Sequence, residues 1–236
     1  MLHELLKKKE KNKEKIESLF NQSAMELSRP VMQEFDTIMT YYKCAIMEAE
    51  TKLKVLNEEF SVQYDRNPIS TIKTRLKKLD SIKEKLDRDG FPFTVESMEK
   101  NLNDIAGIRV ICAFPDDVYL VADALLKQDD VILLSRKDYI ANPKPNGYRS
   151  LHLIVTIPVF FANEKKLMKV EIQLRTISMD SWASLEHQLR YKKKIEFTDE
   201  MADEMLYCAQ LSAELDARMG ALKNLLQVDM VQNADE

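Results

Sequence analysis

The sequence predicts an α+β fold in which a mixed sheet is flanked by helices at both ends of the chain. Only four glycines and seven prolines occur among 236 residues, which favours a helix-rich protein over an all-β one. Helical apolar spacing dominates both ends, and a helix between β-like runs indicates a mixed sheet. The β-like runs are IAGIRVICAF (105–114), VILLS (131–135), LHLIVTIPV (151–159) and KVEIQLR (169–175).

Helices are expected on both sides of these runs. Residues 31–60 carry apolar side chains at helical intervals, which predicts one long helix. Asn67 followed by Pro68 resembles a helix start, and the apolar stripe after it predicts a helix that ends near Gly90. That stripe consists of Ile69, Ile72, Leu76, Leu79, Ile82 and Leu86. Further helices are expected from Thr94 onward and over residues 115–128 and 176–194.

The C-terminal segment carries a heptad-like seam, in which spacings of four and three residues alternate. This pattern is typical of a coiled coil or a helical bundle. The seam could pack on the sheet domain or on another subunit. It consists of Met201, Met205, Cys208, Ser212, Leu215, Met219, Leu222 and Leu226.

Composition and charge narrow the function classes. The net charge of −4 gives no global attraction to nucleic acid, so RNA binding stays open but is not favoured. The lysine-rich segment from Lys7 to Lys15 could bind an anionic partner or form a solvated helix. No apolar run is long enough for a membrane span, and the charged N-terminus is not typical of a signal peptide. The three separated cysteines favour a reducing compartment, so a cytoplasmic protein without a membrane partner is expected.

The segment RLKKLDSIKEK contains a candidate phosphate-binding cluster. In the predicted helix, Lys77, Ser81 and Lys85 are spaced i, i+4, i+8 and share one face. Two ammonium groups flanking a hydroxyl suit a polyphosphate. Arg75 adds a guanidinium that can stack on a base or bind phosphate with two nitrogens. The alternative is a solvated basic helix face.

Two strand motifs supply acidic and polar groups. In DIAGIRV, Asp104 stands at the start of a buried strand, where it either caps a turn or holds a divalent cation. Arg109 follows in the same strand. In VEIQLRT, Glu171, Gln173 and Arg175 alternate with apolar residues and therefore share one strand face. That face lies either in water or in a cleft.

The loop KPNGYRSLH concentrates functional groups between two structure-breaking residues. Tyr148 offers a ring for stacking on a base, Lys144 offers a charge for phosphate, and His152 offers a donor or acceptor on the next strand. Combined with two carboxylates on separate strands, these groups suit a magnesium-dependent nucleotide transfer.

The motifs DIAGIRV, KDYIANPKPNGYRSLH, VEIQLRT and WASLEHQLRYK, in that order, resemble the synthetase domain of RelA/SpoT-type proteins. The short chain is similar to the stand-alone small alarmone synthetases of the RelP/RelQ type. The resemblance implies a nucleotidyltransferase-like mixed sheet and transfer of pyrophosphate from ATP to the 3′-hydroxyl of GDP or GTP. The products would be the stringent-response alarmones ppGpp and pppGpp. The resemblance also implies a homo-oligomer, with a tetramer favoured.

The resemblance further implies roles on the ATP side. Asp104 would bind Mg²⁺, and Glu171 would help to bind it and take the proton from the attacking hydroxyl. Arg75 and Arg109 would sandwich the adenine. The ATP phosphates would be held by Lys77, Ser81 and Lys85.

On the acceptor side, the resemblance implies that Tyr148 stacks on the guanine. Many long members carry Arg-x-Lys-Asp before the Tyr-Ile pair, whereas SRKDYI has Ser135 in the first place and Arg136 in the next. Which basic residue orients the guanosine phosphates is therefore open. The remaining implied GDP/GTP-binding residues are Lys137, Lys144, Asn146, His152, Gln173 and Arg175.

Hydrolysis of the product is not expected. The hydrolase half of the long proteins needs several histidines, and this chain has only His3, His152 and His187. We expect a single synthetase domain over residues 1–236. Within it we expect an N-terminal helical extension (1–60), an α/β catalytic core (61–195) and a C-terminal packing or oligomerisation helix (196–236).

Two other functions remain open from sequence. A non-catalytic nucleotide or RNA sensor would keep the fold and use its basic segments for binding, but it would not need both Asp104 and Glu171. A helical oligomerisation scaffold explains the ends of the chain but not the loop around Tyr148.

Overall fold

A computed structural model of the protein describes residues 29–63, 66–191 and 198–232. The mixed α+β fold predicted from sequence is confirmed. The chain divides into two units, which meet in sequence between Thr40 and Tyr41, and the second unit contains the whole sheet. The lysine-rich segment from Lys7 to Lys15 and the first 28 residues of the expected N-terminal extension lie outside the described residues.

Most predicted elements are confirmed, with small changes in their bounds. Helix α3 begins after Thr94, whose hydroxyl accepts a hydrogen bond from the Ser97 amide at 3.1 Å. Three strands, β3, β4 and β5, are longer than the runs that predicted them. The helices are α1 (Arg29–Gln63), α2 (Leu79–Arg88), α3 (Val95–Asn101), α4 (Pro115–Leu126), α5 (Ile177–Tyr191) and α6 (Asp199–Gln232). The strands are β1 (Ile69–Leu76), β2 (Ala106–Cys112), β3 (Ile132–Asp138), β4 (Leu151–Phe160) and β5 (Lys165–Thr176).

The prediction of a helix over residues 69–86 was wrong, because β1 occupies its first half. Spacings of three and four residues suggested a helix, but the segment ISTIKTRL is rich in β-branched side chains, which favour a strand. It pairs antiparallel with β2, so that Arg75 lies opposite Gly107. Pro68 does not start a helix; its carbonyl accepts a hydrogen bond from the Ala113 amide at 3.0 Å.

This correction changes the predicted phosphate-binding stripe. Lys77 lies in the connection between β1 and α2, where its amide donates to the Ile105 carbonyl at 2.8 Å. Ser81 and Lys85 lie on α2, in the first turn and near the end. The three side chains therefore do not share one helical face.

The sheet has the strand order β1-β2-β5-β4-β3. Strands β2 and β5 are parallel, and the other neighbouring pairs are antiparallel. Alternation places Val110, Ile172, Leu174 and Leu153 on a fully buried apolar face. Helix α4 packs against β2 and β5. Burial of each such side chain contributes roughly 1.5–3 kcal/mol before conformational entropy is subtracted.

Helix α6 packs on α5 and on the connection before β4. The Trp182 indole donates a hydrogen bond to the Met205 carbonyl at 3.1 Å, and Trp182 packs in an apolar cluster with Ala183 and Ala209. Further along α6, buried Asp216 accepts a hydrogen bond from the Thr176 hydroxyl at 2.9 Å. These contacts hold α6 against α5 and the end of β5.

The predicted seam of α6 mostly lies away from these contacts. Leu215 is 52% exposed and Leu222 is 53% exposed, while Ala209 and Asp216 face inward. Within the described ranges, no helix combines the length and the apolar composition that a membrane span requires. The seam is therefore an exposed apolar stripe on a helix whose other face is already packed.

The connection between β3 and β4 contains a glycine with two independent constraints. Gly147 has a φ of +84°, and a Cβ built at this position would lie 2.4 Å from the Ala209 Cβ. Gly90, which follows α2, has a similar φ of +77° but no heavy atom within 4 Å of such a Cβ. Substitutions at these two glycines therefore distinguish the cost of the left-handed backbone from the cost of steric crowding.

We expect Gly147→Ala to destabilise the protein more than Gly90→Ala. Left-handed backbone alone costs an alanine about 1–2 kcal/mol, and forced contact with α6 adds about 1–3 kcal/mol. Urea unfolding of both variants measures the two free energies of unfolding. Equal losses would contradict the close packing of the loop on α6.

Candidate functional site

One face of the sheet collects the polar strand residues that the sequence singled out, together with Lys73. The register aligns them in a row that crosses all five strands, although they come from segments far apart in the chain. A single face is expected because residues directly opposite one another on neighbouring strands project to the same side. In strand order the row is Lys73, Arg109, Gln173, His152 and Lys137.

The adjacent row on the same face carries Arg75, Gly107 and Glu171 on β1, β2 and β5. Gly107 has no side chain, so the surface between Arg75 and Glu171 is open. The exposed Arg75 guanidinium therefore lies across a gap from a half-buried carboxylate. A flat ligand can approach the sheet backbone at this gap.

Asp104 lies just before β2 and is contacted by two lysines. Lys77 Nζ is 2.6 Å from Oδ2, and Lys85 Nζ is 2.9 Å from Oδ1. Burial by itself raises the pKa of Asp104, but the hydrogen bonds and charges of the two lysines outweigh it, so the pKa is lowered. Lys77 and Lys85 thus converge on a carboxylate, with Ser81 half-buried in the first turn of α2.

Glu171 is the second half-buried carboxylate. The Gln173 amide donates a hydrogen bond to Oε2 at 3.1 Å, and His152 Nδ1 lies 3.6 Å from Oε1. Burial acts to raise the pKa of Glu171, but His152 and Gln173 lower it overall. The negative charge of Asp104 acts in the raising direction, so the two carboxylates are close enough to repel each other.

The carboxylates of Asp104 and Glu171 suit a hard divalent cation. Both are ionised at neutral pH, they come from separate elements, and their mutual repulsion would be relieved by a cation between them. Among the described residues, no group of three or more His, Cys, Asp or Glu side chains could hold a metal alone. Phosphate oxygens and water would have to complete the coordination, which is the arrangement that Mg²⁺ favours.

Tyr148 is fixed by hydrogen bonds to its hydroxyl. Arg175 donates from Nη2 at 2.7 Å, Ser150 donates from Oγ at 3.0 Å, and His152 Nε2 lies 2.9 Å away. The Arg175 guanidinium carbon is 5.1 Å from the ring centroid, and Lys144 Nζ is 5.0 Å from it. The ring is therefore held in one orientation, with two cations near it.

The turn before Tyr148 is closed by its own hydrogen bonds. The Gly147 amide donates to the Lys144 carbonyl at 2.8 Å, and the Lys144 amide donates to the Tyr148 carbonyl at 3.1 Å. The Asn146 side-chain oxygen accepts from the Tyr148 amide at 3.2 Å. Lys144 Nζ also lies 4.7 Å from the Tyr139 ring. Hydrogen bonds within the loop therefore define its shape.

The register also separates the two basic residues of SRKDYI. Arg136 pairs with buried Leu153 and so faces away from the polar row. Its guanidinium carbon lies 6.0 Å from the Tyr119 ring on α4. Lys137 pairs with His152 and is exposed on the polar face. Of Arg136 and Lys137, Lys137 is therefore the one that lies on the polar face.

Sequence reasoning missed Asp180 and Lys73. Asp180 lies in the first turn of α5 and accepts contacts from Lys73, Arg109 and Arg175. Local apolar spacing predicts a helix for the segment of Lys73, whereas strand alternation places Lys73 on the same face as Arg75. The only signal for Asp180 was a carboxylate at the fifth residue of a predicted helix.

The comparisons with known proteins agree with this geometry. A family model described as the region found in RelA and SpoT proteins matches residues 74–196. GTP pyrophosphokinase YwaC of Bacillus subtilis is 40% identical over 195 residues, which cover 83% of this chain and 93% of the relative. GTP pyrophosphokinase YjbM of the same organism is 32% identical, covering 83% of this chain and 91% of the relative.

Solved structures give the same assignment. Small alarmone synthetase 1 from Bacillus subtilis, bound to its product pppGpp, superposes with a TM-score of 0.75 at 32% identity, covering 83% of this chain and 99% of that one. Small alarmone synthetase 2 from the same organism superposes with a TM-score of 0.74 at 39% identity, covering 81% and 98%.

The polar face, with two carboxylates beside clustered cations, is suited to phosphate-bearing ligands. The family match and the relatives that align over most of their length make the assignment specific. The chain belongs to the RelA/SpoT family and is similar over most of its length to small alarmone synthetases.

Proposed function

We propose that the protein is a GTP diphosphokinase that transfers pyrophosphate from ATP to the 3′-hydroxyl of GDP or GTP. The products are ppGpp or pppGpp. The observation that carries this proposal is the single polar face, which holds Arg75, Arg109 and Glu171 on three adjacent strands. Asp104 lies just before the strand of Arg109, and Tyr148 is bonded to this face through Arg175. The relatives named GTP pyrophosphokinase and the neighbour bound to pppGpp support it.

The ATP side is formed by β1, β2 and α2. Arg75 and Arg109 lie on neighbouring strands, and they are proposed to sandwich the adenine ring. Contacts to the ATP phosphates are assigned to Lys77 and Lys85, whose ammonium groups are already gathered at Asp104, and to Ser81. Triphosphate oxygens would share these ammonium groups with the carboxylate.

Asp104 and Glu171 are proposed to hold Mg²⁺. A bound magnesium ion supplies positive charge that offsets the oxygens around the β-phosphorus of ATP. Charge neutralisation of this kind, together with positioning, provides most of the rate enhancement in phosphoryl-type transfer.

Glu171 is also proposed as the general base. The 3′-hydroxyl oxygen of the acceptor forms a bond to the β-phosphorus of ATP, and the bond from that phosphorus to the α–β bridging oxygen breaks, so that AMP leaves. The proton of the hydroxyl passes to the Glu171 carboxylate, which is ionised and available to accept it. Gln173 and His152 orient that carboxylate from the same face.

The acceptor side is assigned to the loop and to β3, β4 and β5. Tyr148 is proposed to stack on guanine, since its ring is fixed at the hydroxyl end. Lys137 and Lys144 are placed to offset the guanosine phosphates. The rest of the cleft is proposed to be lined by Asn146, His152, Gln173 and Arg175.

The protein is proposed to lack hydrolase activity. Among the described residues, His152 belongs to the synthetase face and His187 lies on α5, and no histidine cluster of the kind that a hydrolase metal site needs is found in these ranges. A cytoplasmic location is also proposed, because the separated cysteines favour a reducing compartment and the proposed substrates are nucleotides. The domain boundaries at residues 60 and 195 stay a prediction.

Incubation of the purified protein with labelled ATP, GDP or GTP and Mg²⁺ tests the proposed function. We expect a labelled guanosine tetra- or pentaphosphate and AMP in equal amounts. Glu171→Gln should lower turnover by about 10²–10⁴-fold, because the base is lost while the shape of the site is kept. Glu164→Gln, in the β4–β5 turn, is the matched control.

ATP affinity should change little in Glu171→Gln, since the adenine contacts are intact. Near-normal turnover of that variant would refute its assigned role. Absence of the phosphorylated product from wild-type protein, with both acceptors and several divalent cations, would refute the proposed activity itself.

Tyr148→Ala should weaken use of GDP or GTP by about 1–3 kcal/mol, because one base stack is lost. Tyr148→Phe keeps the ring and should retain most of that affinity. Steady-state KM values for acceptor and for ATP distinguish the two sides, and we expect the ATP value to stay nearly constant. An unchanged acceptor KM in Tyr148→Ala would argue against stacking.

A homo-oligomer is proposed from the exposed seam of α6, and the family resemblance favours a tetramer. Static light scattering at micromolar concentration should give a mass above the 27.4 kDa of one chain. Leu215→Glu should reduce that mass, since it places a charge in the middle of the apolar stripe. Glu214→Lys, on a neighbouring exposed position, is the control, and a wild-type monomer would contradict the proposal.

A further inference from the structure

Asp180 occupies a position that no assigned role explains. It lies four residues after the end of β5, in the first turn of α5, and its side chain is 9% exposed. It is an aspartate at the edge of the proposed nucleotide cleft, yet it is not placed beside Asp104 and Glu171. Buried carboxylates cost free energy unless their charge is matched.

Three cations from three neighbouring strands match the charge of Asp180. Arg109 Nη1 on β2 lies 3.1 Å from Oδ1, and Arg175 Nη1 on β5 lies 3.2 Å from the same oxygen. Lys73 Nζ on β1 lies 3.0 Å from Oδ2. One carboxylate therefore joins the polar faces of β1, β2 and β5.

The two arginines need such a partner. The pKa of Arg109 is lowered by burial and by the nearby charge of Arg175, while Asp180 acts to raise it. Burial acts to raise the pKa of Asp180, but Lys73, Arg109 and Arg175 together hold it below its usual range. The guanidinium groups thus repel each other, and Asp180 supplies the opposing charge between them.

The two arginines serve different halves of the site. Arg109 lies beside Lys73 on the ATP side, while Arg175 donates from Nη2 to the Tyr148 hydroxyl at 2.7 Å and to Gln173 Oε1 at 3.0 Å. Nη1 of Arg175 is the nitrogen that contacts Asp180. The guanidinium therefore links Asp180 directly to the proposed guanine-stacking ring.

We propose that Asp180 is a positioning residue that sets the spacing between the ATP and guanosine subsites by holding Arg109 and Arg175 on one carboxylate oxygen. This inference rests on the proposed function. Asp180 itself contacts neither the reacting atoms nor the metal carboxylates. Its effect reaches the nucleotides through the two guanidinium groups.

A positioning role predicts a loss that is shared by both nucleotides. In Asp180→Asn, Arg109 and Arg175 lose their common anion and move apart, so the affinities for ATP and for GDP should each fall by about tenfold or more. A substitution confined to one subsite, such as Tyr148→Ala, weakens only one of them. Loss of affinity for both nucleotides therefore distinguishes Asp180→Asn from a substitution in one subsite.

Asp117 provides a matched control for a purely structural effect. It also lies in the first turn of a helix, is 1% exposed and pairs with an arginine, through Arg66 Nη2 at 2.6 Å. Asp117→Asn should lower the melting temperature at least as much as Asp180→Asn. It should leave both nucleotide affinities within about twofold of wild type, since neither Asp117 nor Arg66 belongs to the polar row.

The experiment is isothermal titration of the full-length wild type, Asp180→Asn and Asp117→Asn with a non-hydrolysable ATP analogue and, separately, with GDP, both with Mg²⁺. The expected result is a joint loss of affinity in Asp180→Asn alone. A folded Asp180→Asn that binds either nucleotide like wild type would overturn the proposal. An equal joint loss in Asp117→Asn would also overturn it, because the effect would then be general destabilisation.

Asp180→Glu keeps the inference testable if the asparagine variant does not fold. It preserves the charge but moves the carboxylate by one methylene, so we expect a folded protein in which both affinities fall together. Wild-type affinity for either nucleotide in this variant would overturn the proposal. Failure of the proposed function itself is distinguishable, since the wild type would then show no product in the transfer assay.

Discussion

The parallel pairing of β2 with β5 is the contact on which the site depends. It places Gly107 beside Glu171 and Arg109 beside Gln173, so the two halves of the cleft share one register. A slip of one residue would move Glu171 to the apolar face and bring Ile172 into the cleft. The fully buried residues on the opposite face, such as Val110 and Leu174, oppose that slip through their loss of burial.

Cations outnumber the carboxylates that they contact in the proposed cleft. Lys77 and Lys85 pair with Asp104, while Lys73 and the two arginines pair with Asp180. A ligand with several phosphates would therefore meet cations that are already oriented by carboxylates, and it would need little reorganisation on binding. The same ion pairs explain how so many charged groups are tolerated on one half-buried sheet face.

The sequence predicts which polar side chains of β5 share one face of the sheet. Alternation in VEIQLRT predicted that Glu171, Gln173 and Arg175 share a face, and the register confirms that they do so with Arg109 and His152. The loop around Tyr148 was predicted from its turn residues and functional groups. Strand pairing determines which faces of neighbouring strands lie on the same side of the sheet. It depends on residues far apart in the chain, so local sequence patterns do not predict it.

The errors have the same physical origin. Ile69, Ile72 and Leu76 fit a helical stripe, but their segment is held as an edge strand by hydrogen bonds to β2. Tertiary pairing therefore overrode the local apolar spacing. Asp180 was missed because its partners come from three strands, and one of those strands had been taken as a helix.

A crystal structure of the protein with Mg²⁺, a non-hydrolysable ATP analogue and GDP tests the central claim most directly. We expect both nucleotides over the polar face, with the GDP 3′-oxygen about 3–3.5 Å from the β-phosphorus and within hydrogen-bonding reach of Glu171. Guanine should lie against the Tyr148 ring. Nucleotides bound elsewhere, with the face between Arg75 and Tyr148 empty, would contradict it.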